Sequence, residues 1–446
     1  MQISDTTPAM PGTPRPPLIA RPGYVLFLLM LGYVLSFFDR QILVVLIEPV
    51  SRDLNLTDTH FGLLYGFAFA LFYTVMGLFF GRLVDRFNRP RLLAICILLW
   101  SAATAACGLA DTFGQLFVAR MMVGVGEAAL APVAYSLIAD LFEPRRRARA
   151  FSVYATGIYL GTGTAFLLGG RLVAYLDGFP NITLPLVGDV HGWQAAFLVA
   201  GVPGIFLALA LLFVRDPRGR AAADTAAEVA AQSSFKAFFA HAAARWRALA
   251  CHHLGFALHT GFGYAIASWT AAFYLRVHQW SIADIGLTMG LLLLTAGPAG
   301  ALSGGALADA MLKRGISDAY LRLGSWINLA QIASVALLVL SPNPFVGLIG
   351  LALAIATMSM TGGPAGAALQ LVTPARLRGQ AGAFYTFVSN ILGLSLVPLL
   401  VALCTDHLFG DPRMVGVSLL LVGTVVLSIA AALLWIGKSA FRVEAA

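Results

Sequence analysis

The chain has 446 residues, 59% of them hydrophobic and only 11% charged, with a mean hydropathy of +0.83. Soluble domains are roughly 45–50% apolar and about 25% charged, so these values exclude a soluble fold and indicate a polytopic membrane protein. The net charge of +8 is no nucleic-acid footprint, because the arginines stand between apolar runs, where membrane orientation accounts for them.

Residues 1–22 are proline-rich (Pro8, Pro11, Pro14, Pro16, Pro17, Pro22) and lack the apolar stretch of a signal peptide, so they read as a disordered cytoplasmic tail. The first apolar run, 23–48, contains Asp39-Arg40. From Gly23 to Asp39 is 16 residues, or about 24 Å of helix at roughly 1.5 Å per residue. The hydrocarbon core is about 30 Å thick, which puts both charges well inside its far half. A charge at such depth costs roughly 2.5–3.5 kcal/mol on insertion scales, so each of the two needs a partner.

The second run, 61–81, ends in Gly81-x-x-x-Asp85, followed by Arg86, Arg89 and Arg91. A small residue at 81 allows close helix approach, and Asp85 can face the positive N-terminal end of a helix in the other half. The arginines hold the loop at an anionic membrane surface. After a third run at 92–110, the fourth, 114–140, carries Arg120 and Glu127, seven residues apart and so on one helical face. Arg120 lies at a depth similar to that of Asp39. An Asp39–Arg120 pair with Arg40 and Glu127 close by would bring the four charges to net zero. Such groups serve either as a static internal ion pair or as a pathway for substrate or protons, the commoner use inside membranes. The fifth run, 149–173, contains Gly157-x-x-x-Gly161-x-Gly163, a helix-packing pattern, and the sixth spans 194–214.

Segment 215–248 is a cytoplasmic linker. Within it, Phe235, Phe238, Phe239 and Trp246, interleaved with Lys236, Arg245 and Arg247, suit an interfacial helix. Six further runs follow at 249–275, 282–307, 320–340, 345–371, 380–403 and 414–437, and 438–446 is a second tail. All are too long for strands, and helices satisfy their own backbone polar groups in lipid. The expected architecture is an all-α membrane protein of twelve helices, with bundles at 23–214 and 249–437. Of 29 lysines and arginines, 23 then fall on the side of the tails. Four lie at the opposite ends (Arg52, Arg171, Arg276, Arg413) and two inside spans (Arg40, Arg120), so both termini are expected to be cytoplasmic. Gly81-x-x-x-Asp85 recurs as Gly305-x-x-x-Asp309, and the basic Pro144–Arg149 stretch as Pro374–Arg378, at matching places in the two halves. This indicates a six-plus-six repeat related by pseudo-two-fold symmetry, as in transporters whose halves rock against each other.

The C-terminal runs hold no Asp, Glu, Lys or Arg in their interiors. Their polar candidates include His259 and Asn390; with Ser36 and Phe166 these are the residues expected to line a central cavity. A cavity charged on one wall and apolar on the other suits a solute with a polar head and a greasy body. No HExxH, GxSxG or metal-ligand cluster occurs, and Cys96, Cys107, Cys251 and Cys404 are scattered, so neither an enzyme, nor a cofactor, nor a metal is expected.

These residues resemble the major facilitator superfamily, and within it the Spinster family. The likeness rests on Phe38-Asp39-Arg40, Gly62-Leu-Leu-Tyr65-Gly66-Phe67, Gly81-Arg-Leu-Val-Asp85-Arg86, Arg120-x-x-x-Gly124-x-Gly126-Glu127-Ala128, Ile138-Ala-Asp140-Leu-Phe142 and Trp193-Gln-Ala-Ala-Phe197. Gly32 and Ser36 stand where the family often has Asn. The resemblance implies an alternating-access, proton-coupled transporter for an amphipathic or lipid-like solute, such as a lysolipid or sphingoid phosphate. It also implies a monomer in a bacterial inner membrane. Asp39 and Glu127 would handle the proton, Arg40 and Arg120 the substrate headgroup, and Gly81, Asp85, Arg86, Arg89 and Asp309 the gating. Two alternatives stay open at this point: an organic-anion:proton symporter that clamps small carboxylates with Arg40 and Arg120, and, more remotely, a non-transporting receptor.

Overall fold

The computed structural model describes residues 21–84, 86–176, 182–184, 188–217, 235–374 and 377–441. Eleven helices among these are long and apolar enough to cross a membrane: Pro22–Val45, Asp58–Gly81, Arg89–Cys107, Phe113–Leu141, Arg149–Leu176, Gly192–Leu212, Ile282–Lys313, Ala319–Leu340, Pro344–Val372, Gln380–Phe409 and Pro412–Phe441. The remaining helix of equal length, Trp246–Val277, is the seventh span. It is less apolar because it carries His252, His253 and His259, and all three are buried against neighbouring helices rather than turned to lipid. Twelve spans in two bundles of six result among the described residues, so the first span begins and the last one ends at the same face, called the termini face below.

Local chemistry sets where the spans begin. Thr57, Asn88, Thr112, Ser281 and Asn343 each accept a hydrogen bond from a first-turn backbone N–H, at 2.9–3.3 Å. Short polar side chains are favoured at this position because the first N–H groups of a helix have no partner within it. Before the sixth span, Ile182–Leu184 and Gly188–Val190 form a two-stranded antiparallel ribbon, a detail the apolar pattern does not reveal. Gly188 takes a positive φ of 91° there, a conformation open to glycine at little cost.

Several spans are irregular where the bundles meet. The second contains a π-helical stretch, Leu63–Phe67, after its first turn, and the eleventh contains another, Ser389–Leu396; such turns concentrate at functional sites. They touch through Gly66, where an added Cβ would stand 2.7 Å from the Leu394 carbonyl oxygen. The fourth span breaks at Ala128–Ala129, directly after Glu127, and the tenth at Met360–Thr361. The Gly157–Gly163 pattern serves two neighbours at once. Gly157 and Gly161 admit the first span, whereas Gly163 lies against Gly290 and Leu294 of the eighth.

Contact between the bundles is therefore tight toward the face opposite the termini. Toward the termini face it is lost among the described residues, none of which lies within 4 Å of a Cβ placed at Gly77, Gly81, Gly366 or Gly382. The two halves splay apart on that side and enclose the central cavity.

Candidate functional site

The intramembrane charges meet where the first, third and fourth spans cross. Arg40 donates from Nε to Glu127 Oε2 at 2.8 Å, and its Nη2 lies 2.8 Å from the same oxygen. Ser36, one turn earlier on the first span, donates to that oxygen at 2.6 Å and accepts from Arg40 Nη2 at 3.3 Å. The guanidinium is also enclosed by aromatic rings, with its carbon 4.8, 4.5 and 4.7 Å from the centroids of Phe37, Phe69 and Tyr73. A cation over an aromatic face is attracted by the ring quadrupole, most strongly when desolvated, and Arg40 is only 7% exposed.

This arrangement corrects the pairing expected from the sequence. Arg120 meets Asp39 at the main-chain carbonyl oxygen, 3.2 Å from Nη1, while the Asp39 carboxylate accepts from Thr104 of the third span at 3.3 Å. Successive helical residues point about 100° apart, so Asp39 and Arg40 cannot both face the fourth span. Arg40 takes that direction and Asp39 turns to the third. Glu127 Oε1 and Arg120 Nε and Nη2 are buried without hydrogen-bond partners. A neutral cluster with unspent hydrogen-bonding capacity is suited to rearrangement.

The central cavity, about 620 Å³, lies between the second, fourth, tenth and eleventh spans. Its wall is mainly apolar and aromatic, including Leu78, Tyr135, Tyr385 and Phe387, with Thr74, Gln370, Asn390 and Arg378 as polar points. Asn390, one of the four cavity candidates, is among the lining residues. Three other candidates are not in the wall. Ser36 is spent on Glu127. His259 is buried between the ninth and tenth spans, 3.0 Å from Asn328 Oδ1 and 3.3 Å from the Met358 carbonyl oxygen. Phe166 is buried where the fifth span packs on the eighth, because the small residues there leave no gap. Arg40 is not among the lining residues either; Tyr73 is, and its ring also lies against the guanidinium. Sequence reasoning missed Tyr73 and Phe69; their i,i+4 spacing on one face of the second span was the available signal.

At the face opposite the termini, ion pairs join the two bundles. Arg276, at the end of the seventh span, lies 2.6 Å from Glu48 Oε1 and 2.7 Å from Asp58 Oδ2, and donates a second bond to Asp58 Oδ1 at 2.8 Å. Asp406 of the eleventh span accepts from both the backbone N–H and the hydroxyl of Thr59, each at 2.6 Å. From sequence alone Arg276 is just one of four basic residues at the far ends of spans.

The presumed loop motif divides. Asp85 lies outside the described residues. Gly81, Arg86 and Asp309 are exposed around the splayed termini face. Arg89 corrects its expected role as a membrane-facing loop charge: it is fully buried, pairing with Asp140 at 2.6 Å and with Asp216, and donating to Ser136 at 2.9 Å. Its position at the first turn of the third span turns it into the bundle, toward the ends of the fourth and sixth. Among the described residues, no group of three or more potential metal ligands occurs.

The family model described as Major Facilitator Superfamily matches residues 29–398. An MFS-type efflux pump of Mycolicibacterium smegmatis is 29% identical over 92% of this chain and 90% of its own length. Protein spinster of Drosophila melanogaster is 26% identical over 86% of this chain and 63% of its own length. The crystal structure of a bacterial homolog of the human lysosomal transporter Spinster, in an inward-facing and unoccupied conformation, superposes with a TM-score of 0.80 at 25% identity. That match covers 97% of this chain and 100% of the other.

Proposed function

Because the chain belongs to the major facilitator superfamily, with Spinster proteins among its relatives, and is a multi-pass membrane transporter rather than an enzyme, we propose that it moves an amphipathic, anionic, lipid-like solute by proton-linked alternating access. The observation that carries this reading is the placement of Tyr73, which lines the cavity and whose ring lies against the guanidinium of the Arg40–Glu127 pair. A cavity of about 620 Å³ accepts a ligand of lysolipid headgroup-and-chain size. Its aromatic wall favours the chain, and a displaced Tyr73 would let an anionic head compete with the Glu127 carboxylate for Arg40. A proton delivered to Glu127 weakens its hold on Arg40 and promotes that exchange; Asp39 and Arg120 complete the neutral set. By the positive-inside rule the termini face is cytoplasmic, so the splayed side opens inward and the Arg276 contacts seal the outer side of a bacterial inner membrane.

Small sugar acids fit less well, because the wall offers few polar contacts. The likeness to an efflux pump raises extrusion of drug-like compounds. Among the described cavity-lining residues, however, Arg378 carries the formal charge and no carboxylate is present, so cationic drugs lack a counter-charge.

Proteoliposome transport of a lysophosphatidylglycerol, driven by a pH gradient, tests the reading. Glu127→Gln is expected to lose gradient-driven accumulation while retaining solute counterflow. Undiminished accumulation by this variant, or uptake of hexuronate in preference to the lysolipid, would sink it.

A further inference from the structure

A second cavity, of about 460 Å³, opens at the termini face. It lies between the helix Phe235–Ala244 and the junction of the tenth and eleventh spans. His241, Arg245, Gln370, Thr373 and Arg378 supply its polar wall, and no acidic side chain lines it among the described residues. Two of these side chains are already engaged. Arg378 donates to the carbonyl oxygens of Thr373 and Gln370, each at 3.3 Å, and His241 Nε2 stands 3.1 Å from the Val372 carbonyl oxygen. Two are not. The Thr373 hydroxyl has no hydrogen-bond partner although the residue is only 3% exposed. The Arg245 side chain is exposed and forms no ion pair among the described residues.

The free Arg245 guanidinium and a buried free hydroxyl, lining one pocket with the positive charge of Arg378, make a donor set for a phosphate oxyanion, since charge-assisted bonds from arginine suit phosphate geometry. The surroundings identify the carrier of that phosphate. Phe239, Trp246 and Leu371, on the same segments, are 55%, 61% and 46% exposed, a water-facing cost that membrane contact removes. Phe238, by contrast, is 2% exposed and lies 5.7 Å from the Phe384 ring, which anchors the helix to the eleventh span. Exposed aromatics beside basic residues at the ends of spans are the pattern of a lipid headgroup boundary.

We propose that this pocket binds the headgroup phosphate of an anionic phospholipid in the leaflet at the termini face. The bound lipid would tie the linker helix to the tenth and eleventh spans. Because Gln370 and Arg378 also line the central cavity, the lipid stands at that cavity's mouth, separate from the transported solute. The site does not depend on the transport reading.

The test is lipid titration of the purified full-length protein in detergent, read by thermal unfolding and by native mass spectrometry of retained lipid. Phosphatidylglycerol, phosphatidylcholine with the same chains, and inorganic phosphate are the probes. Phosphatidylglycerol is expected to stabilise the protein and remain bound where phosphatidylcholine does not. Arg245→Ala should weaken it about fivefold, the effect of one basic residue at an anionic surface. Thr373→Val should also weaken it, with lipid-free unfolding unchanged. Arg247→Ala, outside the pocket, should keep wild-type affinity. Equal retention of the two lipids, wild-type affinity in both pocket variants, or an equal loss in Arg247→Ala overturns the proposal. So does full stabilisation by inorganic phosphate alone.

Discussion

Arg40 draws on two kinds of partner, a carboxylate with a hydroxyl on one side and three aromatic rings on the others. Removing one member of a buried ion pair leaves the other charge stranded, at a cost of about 3–5 kcal/mol, whereas replacing both by apolar groups of similar volume is often neutral. Glu127→Leu and Arg40→Met should therefore each lower the unfolding temperature of the purified protein, and the double variant should recover most of the loss. Singles and double falling additively would show that the two residues do not stabilise each other. The positions of these charges are legible in the sequence, since apolar runs make depth countable. Their partners are not, because a step of one residue turns a side chain about 100° around the helix. Only packing decides whether Asp39 or Arg40 faces Glu127, and the Gly124 contact with the Phe69 backbone, which brings the second span against the fourth, has no mark in the local pattern.

Among the elements, the π-helical stretches of the second and eleventh spans join the bundles on the closed side. A methyl group at Gly66 would meet backbone atoms, the Leu394 carbonyl oxygen at 2.7 Å and Ser395 Cα at 3.0 Å, and backbone cannot swing aside as a side-chain tip can. Overpacking of this kind costs roughly 1–3 kcal/mol, all of it borne by the state in which these helices touch. Gly66→Ala should thus shift the population toward separation on the closed side, seen as longer spin-label distances between the Arg52 and Arg413 positions. Unchanged distances would assign the contact no part in closure. The sequence shows twelve spans and their order, because length and polarity are local properties. It does not show the π turns or the ribbon at 182–190, which depend on what each segment packs against.

For the whole molecule, closure rests on few polar contacts, with Arg276 carrying three of its hydrogen bonds to Glu48 and Asp58 of the other half. Arg276→Ala removes the guanidinium that offsets these carboxylates and should open that face. A cysteine at Leu56, in the vestibule beside Arg276, would then react severalfold faster with an impermeant thiol reagent in whole cells. The same rate in both backgrounds would mean that packing alone keeps the face shut.

Arg89 carries a consequence for the order in which the protein is made. Its side chain is buried between Asp140 and Asp216; Asp140 arrives with the fourth span, but Asp216 follows the sixth, so the set of partners around Arg89 is incomplete until six spans have left the ribosome. From then on the charges buried within the first half (Asp39, Arg40, Arg89, Arg120 and Glu127) are balanced without the second, whereas Glu48 and Asp58 at the opposite face still await Arg276. Residues 1–217 and 218–446, produced as separate polypeptides, should therefore assemble into an active transporter. With Asp216→Ala in the first fragment, that fragment should be degraded before it meets its partner.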